Sequence, residues 1–218
     1  SPGAMQSSWT VKARTLHKLP ENVSLKLGAL IEPLSVAVHD IERSRLKAGE
    51  KAVILGGGPI GQLIALVAKS MGAEVLVSEI SPVRREFAAR IGVDSVDPQS
   101  EDLEKRVREW TGGKGVDVVF EVSGVKPAVE AMTQVAAVRG RICMVAIHAK
   151  APEVNLFQFF WKELEMVGAR VYEASDFEQA IALVADGKLN LEPFITSVDP
   201  LPEIGADEFA THFYIRGK

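Results

Sequence analysis

A glycine-rich turn between an apolar run and a helical pattern constrains the fold of this chain more than any other feature. Residues 51–55 (KAVIL) form the apolar run, and Gly56, Gly58 and Gly61 follow in a G-x-G-x-x-G spacing. Gly56 allows a tight turn, Gly58 lets a pyrophosphate approach the backbone, and Gly61 lets a helix pack closely on a strand. The spacing alone is weakly specific, but here a strand pattern precedes it and a helix pattern follows it.

The helix pattern begins at Pro59 and Ile60 and continues to residue 71, with apolar side chains on nearly every side. Proline suits the first turn of a helix, and the free amides of a helix start can bind phosphate. Further apolar runs of strand length alternate with helical patterns, which is typical of parallel strands joined by crossover helices. We therefore predict an α/β fold: a doubly wound parallel sheet of the Rossmann type, with six strands and helices on both faces.

The individual elements can be assigned from periodicity. Strands are predicted at residues 51–55, 74–79, 116–122, 141–147 and 164–171. Helices are predicted at residues 59–71, 82–92, 101–110, 127–138 and 176–186, with a short aromatic helix after Asn155. Ahead of this alternating unit, residues 9–19 resemble a strand and residues 30–41 an apolar helix.

Composition restricts the classes of partner. The chain has 218 residues, of which 47% are hydrophobic, and a formal net charge of −4. This excludes collagen-like, coiled-coil and disordered classes, and the mildly acidic balance predicts no nucleic-acid partner. The longest uncharged stretch, residues 52–68, is broken by glycines and by Pro59, so no membrane partner is predicted.

The cysteine and histidine content favours a reducing, cytoplasmic location. Cys143 is the single cysteine, so no intrachain disulfide can form, and its apolar strand predicts an inert core thiol. Residues 1–5 lack the features of a signal peptide and are typical of an expression scar. The histidines His17, His39 and His212 share no spacing that would predict a metal or catalytic set.

An acidic residue completes the nucleotide-binding pattern. Glu79 ends the second predicted strand, where a carboxylate can accept hydrogen bonds from both hydroxyls of an adenosine ribose. A carboxylate would repel a 2′-phosphate, so Glu79 predicts NAD rather than NADP as the cofactor. The alternative is a solvated acid at a strand end. Arg84 could flank the same ribose, although the adjacent Arg85 indicates that surface arginines are common here.

Ligands of doubly wound sheets bind at the carboxyl ends of the strands, which gives further candidates. Five residues end the third and fourth predicted strands or follow them: Val122, Ser123, Val145, Ala146 and Ile147. The last three would present backbone groups to the nicotinamide carboxamide; the alternative is that all five are buried strand ends. His148 follows directly and is a candidate acid or base, although its position is more typical of a surface or capping histidine.

Several collinear stretches carry a family resemblance. They are residues 19–23 (LPENV), 29–39 (ALIEPLSVAVH), 47–51 (KAGEK), 53–61 (VILGGGPIG), 111–117 (TGGKGVD) and 176–180 (DFEQA). Together they resemble the zinc-dependent medium-chain dehydrogenase/reductase family, within it the sorbitol, polyol and butanediol dehydrogenase branch. The match spans roughly residues 9–198, and the combination is more specific than any single motif.

The resemblance implies roles for individual residues. Glu32 lies where the family has a ligand or near-ligand of the catalytic zinc, although a helix-start acid is the simpler explanation. Val36 matches a residue that flanks the nicotinamide, Glu79 the ribose contact, Arg84 its neighbour, and residues 56–61 the pyrophosphate site. The implied parent enzyme oxidises a secondary alcohol or polyol to a ketone, with zinc polarising the alcohol oxygen and NAD taking the hydride.

The departures from the family pattern are equally informative. Family members carry an upstream catalytic domain with a zinc-binding Cys, a Gly-His-Glu motif and a proton relay, and this sequence contains none of them. The resemblance therefore implies an excised coenzyme-binding domain that binds NAD without turnover, zinc belonging to the complete parent only. Residues 6–45 would be a linking segment, 46–198 the dinucleotide-binding domain and 199–218 a tail of uncertain structure.

Two alternatives remain open at this stage. A stand-alone nucleotide-sensing module that binds NAD(H) would share the glycine motif, and so would a methyltransferase, although Gly61 and Pro59 favour the dinucleotide. The resemblance further implies a homodimer or tetramer that forms through an edge strand, here residues 164–171.

Overall fold

The computed structural model describes residues 8–198, in which six strands form one all-parallel sheet. The strands are β1 (Lys51–Leu55), β2 (Glu74–Ser78), β3 (Asp94–Val96), β4 (Val116–Glu121), β5 (Ala136–Met144) and β6 (Glu165–Gly168). The helices are α1 (Leu25–Gly28), α2 (Ile31–Ser44), α3 (Pro59–Ser70), α4 (Pro82–Arg90), α5 (Leu103–Thr111), α6 (Lys126–Val135), α7 (Leu156–Lys162) and α8 (Ala174–Ala185). Short 3-10 turns occur at Ala13–Thr15 and Glu192–Phe194.

The sheet separates two apolar layers because side chains alternate along each strand. Ala52 and Ile54 of β1 pack in a core with α2, α3 and α8. Val53 and Leu55 face the opposite side and pack with α5 and α6. Both faces are therefore covered by helices, as predicted. Helix α2 belongs to the first of these cores through Ile31, Leu34, Ala37, Val38 and Ile41, all of them buried.

In the strand order β3-β2-β1-β4-β5-β6, successive strands are added towards one edge up to β3 and towards the other edge from β4 onward, so the switch point of the topology lies between β1 and β4. In an open α/β sheet, a crevice forms outside the carboxyl ends of the two strands at this point. The glycine turn follows β1 and residues 122–124 follow β4, so both flank that crevice. The doubly wound, six-stranded fold is thus confirmed.

Several element predictions were wrong. Residues 9–19 form no strand: they carry only the 3-10 turn, and Trp9 and Leu16 are 48% and 65% exposed because no neighbouring strand covers them. The short strand β3 was not predicted, since three residues with two polar side chains give no apolar run. The predicted helix at 127–138 ends at Val135 and the next strand begins at once, because Ala136 pairs with Val116 in the sheet.

The junction between α6 and β5 has no loop, and a lysine from another helix caps it. Lys162 of α7 donates hydrogen bonds from Nζ to the carbonyl oxygens of Thr133, Gln134 and Ala136, at 2.8 to 2.9 Å. The last carbonyls of a helix have no partner inside it, and a cation suits the negative end of the helix dipole. Burial lowers the pKa of Lys162, although Glu104 opposes that shift.

Candidate functional site

The glycine turn is built by contacts that leave no room for side chains at two positions. Gly56 has φ +111°, a conformation that favours glycine, and its amide donates to the carbonyl of Ser78 at 2.9 Å. A Cβ at Gly61 would lie 2.0 Å from the carbonyl oxygen of Gly56. A Cβ at Gly58 would meet nothing within 4 Å. The side of Gly58 that a Cβ would occupy is thus open, which leaves space for an approaching ligand.

Helix α3 begins at this turn. Gly58 is its N-cap and provides no side-chain cap, while Pro59 occupies the first helical position. Pro59 is exposed and Ile60 is partly buried against the core. The first amides of the helix therefore keep their capacity to bind an anion, and the helix dipole favours a negative charge there.

Glu79 is held at the edge of this turn. Its Oε2 accepts a hydrogen bond from the amide of Gly57, and its Oε1 accepts one from the amide of Ser81, both at 2.8 Å. The residue is only 5% exposed. Each carboxylate oxygen can accept two hydrogen bonds, so these two amides do not exhaust the capacity of either oxygen. Arg84 Nη1 lies 3.6 Å from Oε2, which places a positive charge beside the acid.

Two further side chains fix this region, and the sequence analysis missed both roles. Gln62 is 3% exposed and donates from Nε2 to the carbonyls of Gly57 and Arg84. Arg85 donates from Nη1 to the carbonyls of Glu79 and Ile80 and pairs with Asp97 at 3.1 Å. A polar residue inside an otherwise apolar helix is the sequence signal that could have pointed to Gln62. No comparable signal points to Arg85.

A cavity of about 620 Å³ opens at the carboxyl ends of the strands. It brings together six of the predicted residues: Gly56, Gly58, Glu79, Arg84, Val122 and Ser123. Ile80, Pro98 and Leu103 add apolar surface on the side of Glu79. A mostly apolar cleft with a few polar groups at fixed positions is the usual form of a small-molecule site.

The segment after β5 lies beside this cavity but does not line it. The amides of Val145 and Ala146 both donate to the carbonyl of Glu121, at 2.9 and 3.0 Å, and are therefore already used. Ile147 is 98% exposed. A nicotinamide contact by these three residues stays a prediction, and it would have to use backbone groups other than the amides of Val145 and Ala146.

Two buried side chains meet at the end of β4. Glu121 is fully buried and accepts three hydrogen bonds on Oε1, from the amide and hydroxyl of Ser123 and the amide of Gly124. His148 Nε2 lies 3.3 Å from its other oxygen, Oε2. The charged residue at the end of the apolar run VDVVFE was the signal that could have drawn attention to Glu121.

The residues suggested for zinc and nicotinamide contacts on α2 lie elsewhere. Glu32 is exposed and faces Tyr172, whose pKa is raised by burial and then by the charge and hydrogen bond of Glu32. Val36 is partly buried and does not line the cavity. Within residues 8–198, no group of three or more His, Cys, Asp or Glu side chains could hold a metal ion. Glu32 alone does not make a zinc site.

A small group of titratable side chains lies where α2, α8 and β5 pack together. Cys143 is fully buried, and burial, with the charge of Asp40, raises its pKa to about 12, as an inert thiol requires. His39 Nδ1 pairs with Asp176 at 2.8 Å. Burial would raise the pKa of Asp176. The hydrogen bonds from the amide of Glu173 and from the ring of His39 outweigh this effect and hold that pKa below its usual value. His212 lies outside the described residues.

The sequence profile described as zinc-binding dehydrogenase matches residues 59–186. The chain belongs to the zinc-binding dehydrogenase family. The predicted resemblance to this family is thus confirmed, and the matched residues include α3, Glu79 and the carboxyl ends of β4 and β5. No helix among residues 8–198 is long and apolar enough to cross a membrane.

Individual zinc-binding dehydrogenases extend the comparison. The chain is 70% identical to the 2-dehydro-3-deoxy-L-galactonate 5-dehydrogenase of Pseudoalteromonas atlantica over 94% of its length, and 36% identical to the (R,R)-butanediol dehydrogenase of Neisseria gonorrhoeae over 95%. The crystal structure of 2R,3R-butanediol dehydrogenase from Bacillus subtilis superposes with a TM-score of 0.86 at 32% identity, over 93% of this chain and 58% of that one. The chain spans 60% and 59% of the lengths of the two curated relatives.

Proposed function

We propose that this chain is the NAD-binding domain of a dehydrogenase that oxidises a secondary hydroxyl group to a ketone. The observation that carries the proposal is the position of Glu79, which the amides of Gly57 and Ser81 hold beside the glycine turn with acceptor positions to spare. A carboxylate fixed in this way suits the two hydroxyls of an adenosine ribose and disfavours a 2′-phosphate. Bound NAD supplies the hydride acceptor.

The pyrophosphate would lie over Gly58 and the first turn of α3. No protein atom occupies the space that a Cβ at Gly58 would face, and the helix offers free amides there. The adenine would lie against Ile80, Pro98 and Leu103, which form the apolar part of the cavity wall. Glu79 stands between these two regions, as the ribose requires.

The substrate of the whole protein is inferred from its relatives. Identity of 70% over 94% of the chain to a 2-dehydro-3-deoxy-L-galactonate 5-dehydrogenase supports a sugar acid whose C5 hydroxyl is oxidised. Zinc is a proposal for the whole protein only, with Glu32 as a candidate ligand. We infer that this chain binds NAD without turnover, since its sequence lacks the zinc-binding Cys, the Gly-His-Glu motif and the proton relay that the family resemblance implies.

Calorimetric titration with NAD, NADP and S-adenosylmethionine tests the nucleotide assignment. We expect saturable binding of NAD and at least about tenfold weaker binding of NADP, because its 2′-phosphate would meet the carboxylate of Glu79. Tighter binding of NADP would contradict the role of Glu79, and binding of S-adenosylmethionine alone would favour a methyltransferase. Incubation with zinc, NAD and 2-dehydro-3-deoxy-L-galactonate should yield no NADH, and steady NADH formation would refute the absence of turnover.

We also propose that the chain forms a dimer or tetramer through the edge of β6. Within residues 8–198 this strand pairs with one neighbour, β5, and Met166 on it is 47% exposed. Helix α7 precedes it in the chain and exposes Phe157, Phe160 and Trp161, with the first and last rings stacked 6.0 Å apart. An open strand edge beside exposed aromatic rings is typical of an association surface.

Sedimentation velocity tests this association. The chain should sediment as a dimer or larger species, and Trp161→Glu should shift it to the monomer because a charge would then be buried in the interface. Leu25→Glu serves as the control, since Leu25 is 86% exposed on α1. A monomeric parent chain, or equal effects of both substitutions, would argue against the β6 edge.

A further inference from the structure

Two buried polar atoms without hydrogen-bond partners face each other at the carboxyl edge of the sheet. Glu121 Oε2 and His148 Nε2 lie 3.3 Å apart, and neither makes a hydrogen bond of acceptable geometry within residues 8–198. The Glu121 side chain is fully buried, and that of His148 is 16% exposed. A buried carboxylate is costly unless a donor or a cation faces it, and His148 is the side chain that lies opposite this side of Glu121.

The other atoms of Glu121 hold two loops. Its Oε1 accepts the hydrogen bonds of Ser123 and Gly124, at 2.7 to 3.0 Å, and so shapes the turn after β4. Its main-chain carbonyl accepts both amides that follow β5, those of Val145 and Ala146. One residue therefore fixes the turn at 122–124 and the start of the segment at 145–147.

These two loops touch each other and the glycine turn. A Cβ at Gly124 would meet the carbonyl oxygen of Ile147 at 3.4 Å, and a Cβ at Gly56 would meet Ser123 atoms at 3.0 to 3.2 Å. Only about the space of one added carbon atom separates these backbones, so a shift of one loop is passed to the other because packed groups cannot absorb it locally. A displacement of Glu121 would therefore move the wall of the cavity on the side of Ser123.

We propose that His148 is a positioning residue that acts through Glu121 and sets the nicotinamide end of the cofactor site. The imidazole lies with Nε2 3.3 Å from Oε2, so its N–H dipole opposes the negative charge of the carboxylate without a well-aligned hydrogen bond and favours the rotamer that Ser123 and Gly124 require. In this role His148 acts on the carboxylate of Glu121 rather than on the substrate. The inference rests on the proposed binding of NAD.

The test compares NAD with ADP-ribose, which lacks the nicotinamide. His148→Phe should weaken NAD binding about tenfold, because the buried carboxylate loses its facing donor and the loops rearrange. Binding of ADP-ribose should stay within about twofold, since the adenosine contacts lie at the other end of the site. A role of His148 in general stability alone would change both affinities together.

Two further variants keep the test decisive if His148→Phe does not fold. Gln places a donor near the position of Nε2, so His148→Gln should restore NAD affinity to within about threefold. The shorter Asn cannot reach, and His148→Asn should resemble the loss. Equal NAD affinity of Gln, Asn and parent chains would overturn the positioning role, as would a parallel loss of ADP-ribose binding.

A folded parent chain that binds ADP-ribose but not NAD would refute the proposal at the nicotinamide end, and one that binds neither would refute the proposed function itself.

Discussion

Gly61→Ala should lower the free energy of unfolding by about 3 kcal/mol, the upper end of what overpacking of a core usually costs. The added Cβ would lie 2.0 Å from the carbonyl oxygen of Gly56, and backbone cannot rotate away as the end of a side chain can. Relief requires that α3 move off β1. Because the glycine turn forms the pyrophosphate site of our proposal, NAD binding should be lost with it. Urea unfolding and NAD titration measure the two effects.

Gly58→Ala is the matched control. Its Cβ would meet nothing within 4 Å, and the backbone there has φ −68°, which alanine adopts freely. Stability should therefore fall by less than about 1 kcal/mol, the cost of alanine at an N-cap. NAD affinity should still decrease, because the methyl group would occupy the proposed place of the pyrophosphate. Equal stability losses in the two variants would contradict this assignment of the two glycines.

Asp40→Asn should stabilise the protein strongly at alkaline pH. Asp40 is fully buried on α2, and neither of its carboxylate oxygens has a partner within residues 8–198. Burial, followed by the charge of Asp176, raises its pKa to about 7. The unfolded chain releases this proton near pH 4. The folded state therefore binds the extra proton between pH 4 and 7, and stability decreases as the pH rises through that range.

The penalty is complete above pH 7 and amounts to at most about 4 kcal/mol. The gain from Asp40→Asn should consequently be about 3 kcal/mol larger at pH 8 than at pH 5, while any cost of the buried amide is the same at both. The ionisable side chains of His39 and Glu42 from the same helix, Asp176 from α8 and Cys143 from β5 also lie nearby, but they are present in both proteins. Urea unfolding across the range measures the difference, and parallel pH profiles would contradict it.

Features encoded in a few adjacent residues could be predicted from the sequence. The glycine turn and the start of α3 at Pro59 combine a short motif with an apolar strand before it, and the structure reproduces both. Glu79 also lies at the expected place, because the length of one strand–helix–strand unit fixes its distance from the turn. There its carboxylate accepts hydrogen bonds from the amides of Gly57 and Ser81, which hold it beside the glycine turn.

Features that depend on distant contacts could not be predicted. Cys143 donates to the carbonyl of Asp40, 103 residues away in sequence, so the environment of Asp40 exists only once α2 lies on β5. The local preference of residues 136–138 predicts a helix. In the structure the pairing of Ala136 with Val116 outweighs that preference, and these residues begin β5. The link between Glu121 and His148 similarly needs two strand ends to meet.

The lysine cap between α6 and β5 bears on how the chain acquires its structure during synthesis. The carbonyls of Thr133, Gln134 and Ala136 emerge first, and the Lys162 ammonium that satisfies them follows 26 to 29 residues later. Until then this helix end has only water as a partner. The junction from which β5 starts is therefore fully hydrogen-bonded only after α7 has emerged.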